Sequence, residues 1–393
     1  MSPSNPGTKV TAAVAAIALV VAGCGGADDS SSREKSPPSP NTAVVGPVSD
    51  EVEAAAAEAH SLGLQFARSH EEIIAAANEE GSLIIQTSMA AYEPFQEAFA
   101  KAYPNLDTQW VEMGDATTQR FLLEVESGVG PRYDIAYVAP EAYNDIAEMT
   151  DWDLLGMAQA GILDIPIEMI DSEKRTVISP GSSGIALVYN KNLVSEAELP
   201  KTWQEVADPK WSRDQLGIAM DVDLNNVGIL ASAPGWDLDK VLELSAQLAE
   251  LDPIFTNGHT AATLLVQNGE VAMSPFVNLH SAVREVDKNP DGALQVALIE
   301  PVPVRLAESA GVFNADFSDS PHAALLFIEW MASDDFQSLL DADPLQASLH
   351  WEGSRMADMI GDRKIGVFGS EMQSQLPDWV SQVQATFGFP TAG

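Results

Sequence analysis

The sequence predicts an α/β protein with two domains, or one large domain with two lobes. Short apolar segments with strand character alternate with amphipathic segments of helical spacing, which is typical of mostly parallel sheets covered by helices on both faces. The roughly 340 residues that follow the N-terminal region are enough for two cores. Hydrophobic residues make up 46% of the chain, so both cores can be filled.

The first set of elements begins in an Ala- and Glu-rich region. The segment "EEIIAAANEEG" predicts a helix that ends at Gly81. After it we expect, in order, the strand "SLIIQTS", the helix "EPFQEAFAKAYPN", the strand "LDTQWVEM", the helix "TTQRFLLEVESG" and the strand "YDIAYVAP". Ligands bind outside the carboxyl ends of such strands, so the loops at 88–90, 114–115 and 138–140 are candidates for ligand contact.

The second set of elements begins with the strand "GIALVYNKNLV". A turn with a short helix, the strand "LGIAMDV" and the helix start "NNVGILASA" come next. Two amphipathic helices follow in "GWDLDKVLELSAQLAEL" and "TAATLLVQNGE", and then the strand "EVAMSPF". Near the end, "PHAALLFIEWMASDDFQSLL" predicts one long helix.

The N-terminal region contains Cys24, the single cysteine of the chain. A lone thiol excludes an internal disulfide and a cysteine-rich zinc site. The preceding "KVTAAVAAIALVVAG" has the shape of a secretory signal and is too short to span a membrane comfortably. "VAGC" resembles the bacterial lipobox, which implies removal of residues 1–23 and a diacylglycerol on the Cys24 sulfur. An ordinary signal peptide with a chance cysteine is the alternative.

Residues 24–50 are rich in Ser, Pro and Gly and almost free of large apolar side chains. Such a segment cannot bury enough surface to become ordered, so we expect a flexible tether. A short helical extension over 51–70 then leads into the folded part. If the lipobox is used, the tether connects a lipid anchor to a protein that works outside the cytoplasm.

The formal net charge of −38, from 20 basic and 58 acidic residues, is extreme. It excludes binding to nucleic acid or to an anionic surface by counterion release. Solubility alone explains such a charge, and attraction of a cationic ligand is the alternative. The arginines nearest the predicted loops are expected to pair with the abundant carboxylates rather than bind an anion; they are Arg120, Arg132 and Arg305.

No enzyme motif stands out. The sequence contains no G-x-S-x-G, H-E-x-x-H, P-loop or Gly-rich dinucleotide fingerprint, and the six histidines show no ligand spacing. We therefore expect a protein that is not an enzyme and needs no cofactor. A secreted hydrolase remains a minor alternative.

Two places in the sequence suggest ligand contacts through local chemistry. Ser88 ends the first strand, where it contacts ligand or caps the next helix. Asp221, Asn225 and Asn226 lie between a strand and the start of a helix, whose free N–H groups attract anions. The aspartates at 221 and 223 disfavour an anionic ligand there, and local capping is an equal alternative.

Five segments in order resemble the extracellular solute-binding proteins of ABC importers, in the branch that includes ferric-ion and polyamine binders: "EEIIAAANEEGSLIIQTS", "LVYNKNLV", "LPKTWQEVADPKW", "GEVAMSPF" and "SPHAALLFIEWMAS". The resemblance implies two Rossmann-like lobes joined by a hinge that the chain crosses twice. It implies a first lobe of 71–185 with 306–345, a second lobe of 186–305, and a segment 346–393 that packs across both.

The resemblance also implies a monomer that binds a small molecule or ion in the cleft and delivers it to an ABC permease in the membrane. A ligand sensor on the same fold, without transport, is the alternative. Ser182 and Ser183, in "PGSSG" at the hinge, become candidate ligand contacts, with a plain turn as the alternative.

Ferric-binding relatives place adjacent tyrosines after the strand that corresponds to "EVAMSPF". This chain has Asn278 and His280 there, and all six tyrosines lie at or before Tyr189. The missing tyrosine pair makes ferric ion doubtful and favours a cationic or neutral organic solute. A metal site from His280, Glu300 and Asp221 is a minor alternative, because a lone histidine is more often hydrogen-bonded in a core or at the surface.

Overall fold

Two five-stranded β-sheets organise the computed structural model, which describes residues 49–87, 92–112, 123, 127, 132–139, 142–342 and 345–390. All of these residues belong to one compact unit, Val45–Gly393. The strands in these ranges are β1 (Ser82–Thr87), β2 (Asp107–Glu112), β3 (Ile135–Val138), β4 (Val177–Ile178), β5 (Ser182–Asn190), β6 (Ala219–Asp221), β7 (Ile254–Thr256), β8 (Met273–Asn278), β9 (Leu294–Ala297), β10 (Val302–Leu306), β11 (Ser309–Val312) and β12 (Ile365–Phe368).

The helices in the same ranges pack around these strands. They are α1 (Asp50–Ser61), α2 (His70–Glu80), α3 (Glu93–Ala102), α4 (Tyr143–Glu148), α5 (Leu154–Gln159), α6 (Asn225–Ile229), α7 (Leu238–Glu250), α8 (His259–Asn268), α9 (Leu279–Asp287), α10 (Pro321–Met331), α11 (Asp334–Ala342), α12 (Arg355–Ile360) and α13 (Leu376–Thr386). The predicted N-terminal helix is α2, which ends at Gly81 with φ 70° as its glycine implied.

The first sheet has the strand order β2-β1-β3-β11-β4. β1 runs parallel to β2 and β3, but β11 runs antiparallel to β3 and β4. The expectation of a mostly parallel sheet is therefore wrong in detail, since the sheet is mixed. The chain enters β11 directly from the second sheet, beside the end of β3. Because no helix carries the chain back to the start of β3, β11 runs antiparallel to it.

The second sheet has the order β12-β10-β5-β8, with β9 beside β5. β5 is buried over all nine residues and is antiparallel to β8, β9 and β10, whereas β10 and β12 are parallel. This sheet too is mixed. The parallel pair β6–β7 joins it through a bridge between Ile218 and Met273.

Aromatic side chains fill both cores. In the first, the ring of Phe99 lies 5.0 Å from that of Phe327 and 5.1 Å from that of Trp330. In the second, Trp203 stacks on Phe276 at 4.6 Å. These contacts fix α3 and α10 on the first sheet and the loop at 203 on the second.

The long helix predicted near the end of the chain is divided into α10 and α11. Ser333 lies at the break, where its Oγ donates to the carbonyl of Trp330 at 2.6 Å and accepts from the N–H of Phe336 at 3.4 Å. A serine in this position caps a new helix start, and so the apolar spacing continues across two helices.

The two sheets are connected by short segments that lie side by side. Pro180–Gly181 leads from β4 into β5, and Ala307–Glu308 leads from β10 into β11; the N–H of Ala307 donates to the carbonyl of Gly181 at 3.0 Å. Gln346 accepts from the N–H of Ser182 at 2.9 Å, as the chain passes again between α11 and α12. We call residues 180–182, 307–308 and 346–347 the waist.

The waist leaves no room for a side chain at Gly181. A Cβ there would lie 2.8 Å from the carbonyl oxygen of Gln346 and 3.2 Å from the Cβ of Ala307. Glycine is therefore required by the close approach of the three backbone segments.

The other predicted strands and helices agree with the structure wherever it describes them. The signal and most of the tether, the loops at 88–90 and 114–115, and nearly all of "TTQRFLLEVESG" lie outside the described residues. Within the described ranges, no helix has the length and apolar character needed to cross a bilayer.

Candidate functional site

Polar side chains meet at the end of the second sheet that adjoins the waist. β5 begins there, and β8 and β10 end there, because β5 is antiparallel to both. The ends of β6 and the starts of α6, α8 and α9 lie beside them. We call the eight residues that these elements contribute the polar cluster: Ser183, Asp221, Asp223, Asn226, His259, Asn278, His280 and Arg305.

Ser183 and His280 form one half of the polar cluster. The Ser183 hydroxyl is buried and lies 2.9 Å from Nδ1 of His280. Burial, together with the positive charges of Arg305 and Arg284, lowers the pKa of His280 to about 3. The imidazole is therefore neutral at physiological pH, and its Nε2 forms no hydrogen bond to any described residue.

Asn226 holds the other half together. Its amide nitrogen donates to the carbonyl of Phe276 at 2.8 Å and to Oδ1 of Asn278 at 2.9 Å, and it lies 3.1 Å from Nε2 of His259. One buried side chain thus joins α6 to β8 and to the start of α8. The two hydrogens of the amide serve three acceptors, so the longest of these contacts is shared.

The contact with Asn226 assigns the tautomer of His259. An amide nitrogen only donates, so Nε2 accepts and the ring proton lies on Nδ1, which faces Oδ2 of Asp221 at 3.5 Å. Burial lowers the pKa of His259, although the charges of Asp221 and Asp223 act in the opposite direction. His259 is therefore a second neutral histidine.

The two aspartates cap nearby backbone. Oδ1 of Asp221 accepts from the N–H of Gly258 at 3.1 Å, and Oδ1 of Asp223 accepts from the N–H of Asn225 at 3.0 Å. The side chain of Asn225 contacts Asp223 alone, at 3.5 Å, among the described residues. These are the capping contacts expected as the alternative to ligand binding, and each carboxylate keeps further acceptor capacity.

Arg305 supplies the fixed positive charge of the cluster. Its Cα pairs with that of Ser183 across β10 and β5. In the described part of the chain, the half-buried guanidinium forms no ion pair, and its Nε is buried without a hydrogen-bond partner. The expectation that Arg305 pairs with a carboxylate is therefore not met there, whereas Arg132 does pair with Asp319 at 3.0 Å. Arg120 lies outside the described residues.

Backbone strain marks the same place. Phe276 has φ 60°, which is uncommon for a residue with an aromatic side chain, and it lies within β8 opposite an irregularity of β5 between Ala186 and Val188. The stack on Trp203 and the hydrogen bond from Asn226 hold this conformation. Strained residues of this kind concentrate at binding sites.

The structure brings together five of the residues that the sequence singled out: Ser183, Asp221, Asn226, Asn278 and His280. Ser182 lies in the waist instead, where its Oγ accepts from the N–H of Leu349 at 3.3 Å. Glu300 lies at the opposite end of β10 from Arg305 and forms an exposed ion pair with Lys364 at 3.7 Å. Ser88 and Cys24 lie outside the described residues.

A metal site from His280, Glu300 and Asp221 does not form, because Glu300 is remote from the other two. Among the described residues there is no group of three His, Cys, Asp or Glu side chains placed to share a metal ion. The polar cluster offers instead amides, a hydroxyl, neutral imidazoles, carboxylates and one guanidinium. Such a set binds a solute through directed hydrogen bonds and charge.

Sequence reasoning missed His259 as a site residue and Arg305 as a free cation. His259 follows the short strand β7, which was not predicted, so its position beside the ends of β6 and β8 was hidden. Arg305 is carried to the cluster only by the antiparallel pairing of β10 with β5. The polar run "TNGH" after an apolar segment was the one signal in the sequence for His259.

Comparison with known proteins gives a family match. The model of the family described as bacterial extracellular solute-binding protein matches residues 85–338, more than half of the chain. Comparison with curated protein sequences finds no match.

Several solved structures resemble the chain over 78% of its length. Iron-bound HitA from Pseudomonas aeruginosa has a TM-score of 0.56 at 16% identity, with 99% of that chain covered. The Bordetella ferric binding protein has a TM-score of 0.60 at 15% identity, with 98% covered. AttC from Agrobacterium tumefaciens C58, in an open unliganded conformation, has a TM-score of 0.59 at 15% identity, with 99% covered.

Proposed function

Because the chain belongs to the bacterial extracellular solute-binding protein family, we propose that it captures a small solute between its two lobes and presents it to the permease of an ABC importer. It shares the two-lobed α/β fold of the type II periplasmic binding proteins that it resembles. Members of such a family bind and transfer solutes without chemical change, and the proposed role is therefore not enzymatic.

The polar cluster beside the waist is the observation that supports this proposal. Its side chains lie on the second sheet, next to the short segments that lead to the first sheet. A solute held there is in position to draw the first lobe toward the second. Hinge closure of this kind converts binding into a change of shape that a membrane partner recognises.

We propose the lobe boundaries that the resemblance implied: 71–185 with 306–345 for the first lobe, 186–305 for the second, and 346–393 packing on both. β1 to β4 and β11 compose the first sheet, and β5 and β8 to β10 belong to the second. In the last segment, α13 packs on α6 and α7, while the turn Ser370–Gln375 contacts α4. These contacts support a segment that touches elements of both lobes.

We also propose that residues 1–23 are a signal peptide and that Cys24 carries a lipid anchor, followed by a tether to about residue 50. Two or more acyl chains hold a protein at a bilayer far more firmly than one. Replacement Cys24→Ala should move the protein from the membrane fraction to the soluble fraction of the producing bacterium. Retention of the variant in the washed membrane fraction would contradict the anchor.

The solute that we propose is organic, although two of the similar structures are iron-bound or ferric-binding by name. Ferric ion is bound best by hard anionic oxygen ligands. The polar cluster has two such carboxylates, Asp221 and Asp223, but both already accept hydrogen bonds from backbone N–H groups. Its other groups are the guanidinium of Arg305, amides and two neutral histidines. A cationic guanidinium repels a trivalent cation, whereas an organic solute can use every one of these groups.

A thermal-shift screen of the soluble part, residues 51–393, tests solute capture. The library should contain amino acids, amines, organic anions, sugars, and ferric ion with and without citrate. A cognate solute raises Tm, and the increase grows with concentration by mass action. We expect the same solute to make the protein more compact in small-angle scattering.

A paired variant locates the solute. Replacement of Ser183 and Asn278 together by Ala should abolish the shift in Tm by the cognate solute while the protein still unfolds cooperatively. Asn105→Ala is the matched control, because Asn105 is exposed and lies before β2, in the first lobe. An unchanged response of the double variant would remove the polar cluster from the binding site.

A further inference from the structure

Arg305 has a positive charge that forms no ion pair in the part of the chain that the structure describes. The guanidinium is half-buried and forms no ion pair within the described residues, although the sequence contains 58 acidic residues against 20 basic ones. Arg68, Arg175 and Arg355 all find carboxylate partners. A partly buried guanidinium with a free, buried Nε is energetically costly unless an anionic group completes its hydrogen bonds.

The opposite side of the polar cluster carries negative charge. Asp221 and Asp223 lie together at the end of β6. Backbone N–H groups donate to Oδ1 of each, from Gly258 and Asp223 to Asp221 and from Asn225 to Asp223, and the Oδ2 atoms accept from no backbone N–H group among the described residues. Their charges act on His259, which stays neutral and therefore does not offset them. These carboxylates repel a simple anion such as phosphate and favour an ammonium group.

Neutral groups lie between the two charged ends. Ser183 and His280 are nearest Arg305, and Asn278 and Asn226 continue toward the aspartates through the contact of 2.9 Å between them. β10, β5 and β8 are neighbouring strands spaced about 4.8 Å apart. The ends of the cluster are therefore separated by about the length of a small organic molecule.

From this arrangement we propose that the solute is a small zwitterion, whose anionic group binds Arg305 and whose ammonium group binds Asp221 and Asp223. This assignment rests on the proposed function of solute capture and narrows it to one chemical class. The net charge of the two ends is negative, so the site tolerates an extra positive charge on the solute better than an extra negative one.

Calorimetry with unbranched ω-amino acids tests the assignment. The series runs from β-alanine through γ-aminobutyrate and 5-aminovalerate to 6-aminohexanoate, with pentanoate and pentylamine as probes that carry one charge each. We expect at least one ω-amino acid to bind, and to bind at least tenfold more tightly than either singly charged probe. Absence of binding along the series, or equal binding of pentanoate, would overturn the zwitterion assignment.

Charge variants give a readout that loss of folding cannot imitate. Arg305→Gln should remove the advantage of the zwitterion over pentylamine, so that the two bind with similar Kd. Asp221→Asn should remove the advantage of the zwitterion over pentanoate. Arg213→Gln is the matched control, since Arg213 is exposed in the same lobe, pairs with Asp252 at 2.7 Å and should leave Kd within about twofold. A zwitterion preference that survives Arg305→Gln would overturn the role of Arg305.

The outcome separates this inference from the proposed function. If a sugar or ferric citrate raises Tm and compacts the protein while no ω-amino acid does, solute capture stands and the zwitterion assignment fails. If an ω-amino acid binds without any change in scattering, the ligand class stands and closure of the lobes fails.

Discussion

Asn226 is the residue whose replacement tests the architecture of the polar cluster most directly. Its side chain is 2% exposed and is the hydrogen-bond donor to the carbonyl of Phe276, to Asn278 and to His259. Replacement Asn226→Ala leaves the Phe276 carbonyl inside the protein without this partner. The other two acceptors are half-buried and can turn to water.

The expected loss of stability comes mainly from the buried carbonyl of Phe276, because the other two acceptors can bind water. One buried acceptor without a partner costs about 1–3 kcal/mol, and the small cavity left by the amide adds to it. We therefore expect a loss of about 2–3 kcal/mol in the free energy of unfolding, which corresponds to a fall in Tm of about 3–4 °C for a unit of about 340 residues. Solute affinity should fall as well, because Asn278 and His259 lose their common support.

Differential scanning calorimetry of matched variants provides the assay. Asn225→Ala is the control, since Asn225 is the adjacent residue of α6 and its side chain contacts only Asp223 at 3.5 Å. That change should alter stability by less than about 0.5 kcal/mol. If both variants melt within 1 °C of the wild type, which corresponds to less than about 0.7 kcal/mol, the amide of Asn226 does not organise the cluster.

Two further predictions concern stability. Arg175→Gln removes the bidentate partner, at 2.8 and 2.9 Å, of the fully buried Asp153, and should lower the free energy of unfolding in chemical denaturation by about 3–5 kcal/mol. The control Arg355→Gln breaks an exposed ion pair of 3.3 Å and should lower it by less than about 1 kcal/mol. Equal losses in the two variants would refute this prediction. The pKa of His280 is about 3 in the folded protein, against an ordinary 6.5. Below pH 6.5 the unfolded chain therefore binds a proton at His280 that the folded protein does not bind. The free energy of unfolding is highest above pH 6.5 in this respect, and it decreases as the pH falls toward 3. His280→Asn should therefore lose less stability than the wild type between pH 7 and about pH 4 in urea titrations. Parallel losses in both proteins would show that His280 is not held neutral.

Much of the fold could be predicted from local patterns. Gly81 ended α2, the amphipathic spacing identified α3, α7 and α8, and the alternation of elements indicated the α/β class. The strand direction could not be predicted in the same way, because β11 is fixed by where the chain re-enters the first sheet. The break at Ser333 was equally hidden, since apolar spacing continues on both sides of it.

The candidate site was predicted in part. Ser183 was found because the family resemblance places it at the hinge, and Asn278 and His280 because they follow the strand after which ferric-binding relatives have tyrosines. The 58 acidic residues predict that Arg305 pairs with a carboxylate. The pairing of β10 with β5 instead places Arg305 opposite Ser183, without such a partner among the described residues. Charge balance along a sequence does not tell which charges meet.

By itself the sequence determined the alternation of strands and helices, the helix ends and the abundance of negative charge, because each of these depends on residues close together in the chain. Tertiary structure alone decided that Arg305, Asp221 and His259 share one end of the second sheet, and that Gly181 must have no side chain. These depend on segments far apart in the chain, such as the 181 and 307 segments of the waist. Their contact is set by the packing of whole sheets rather than by local preference.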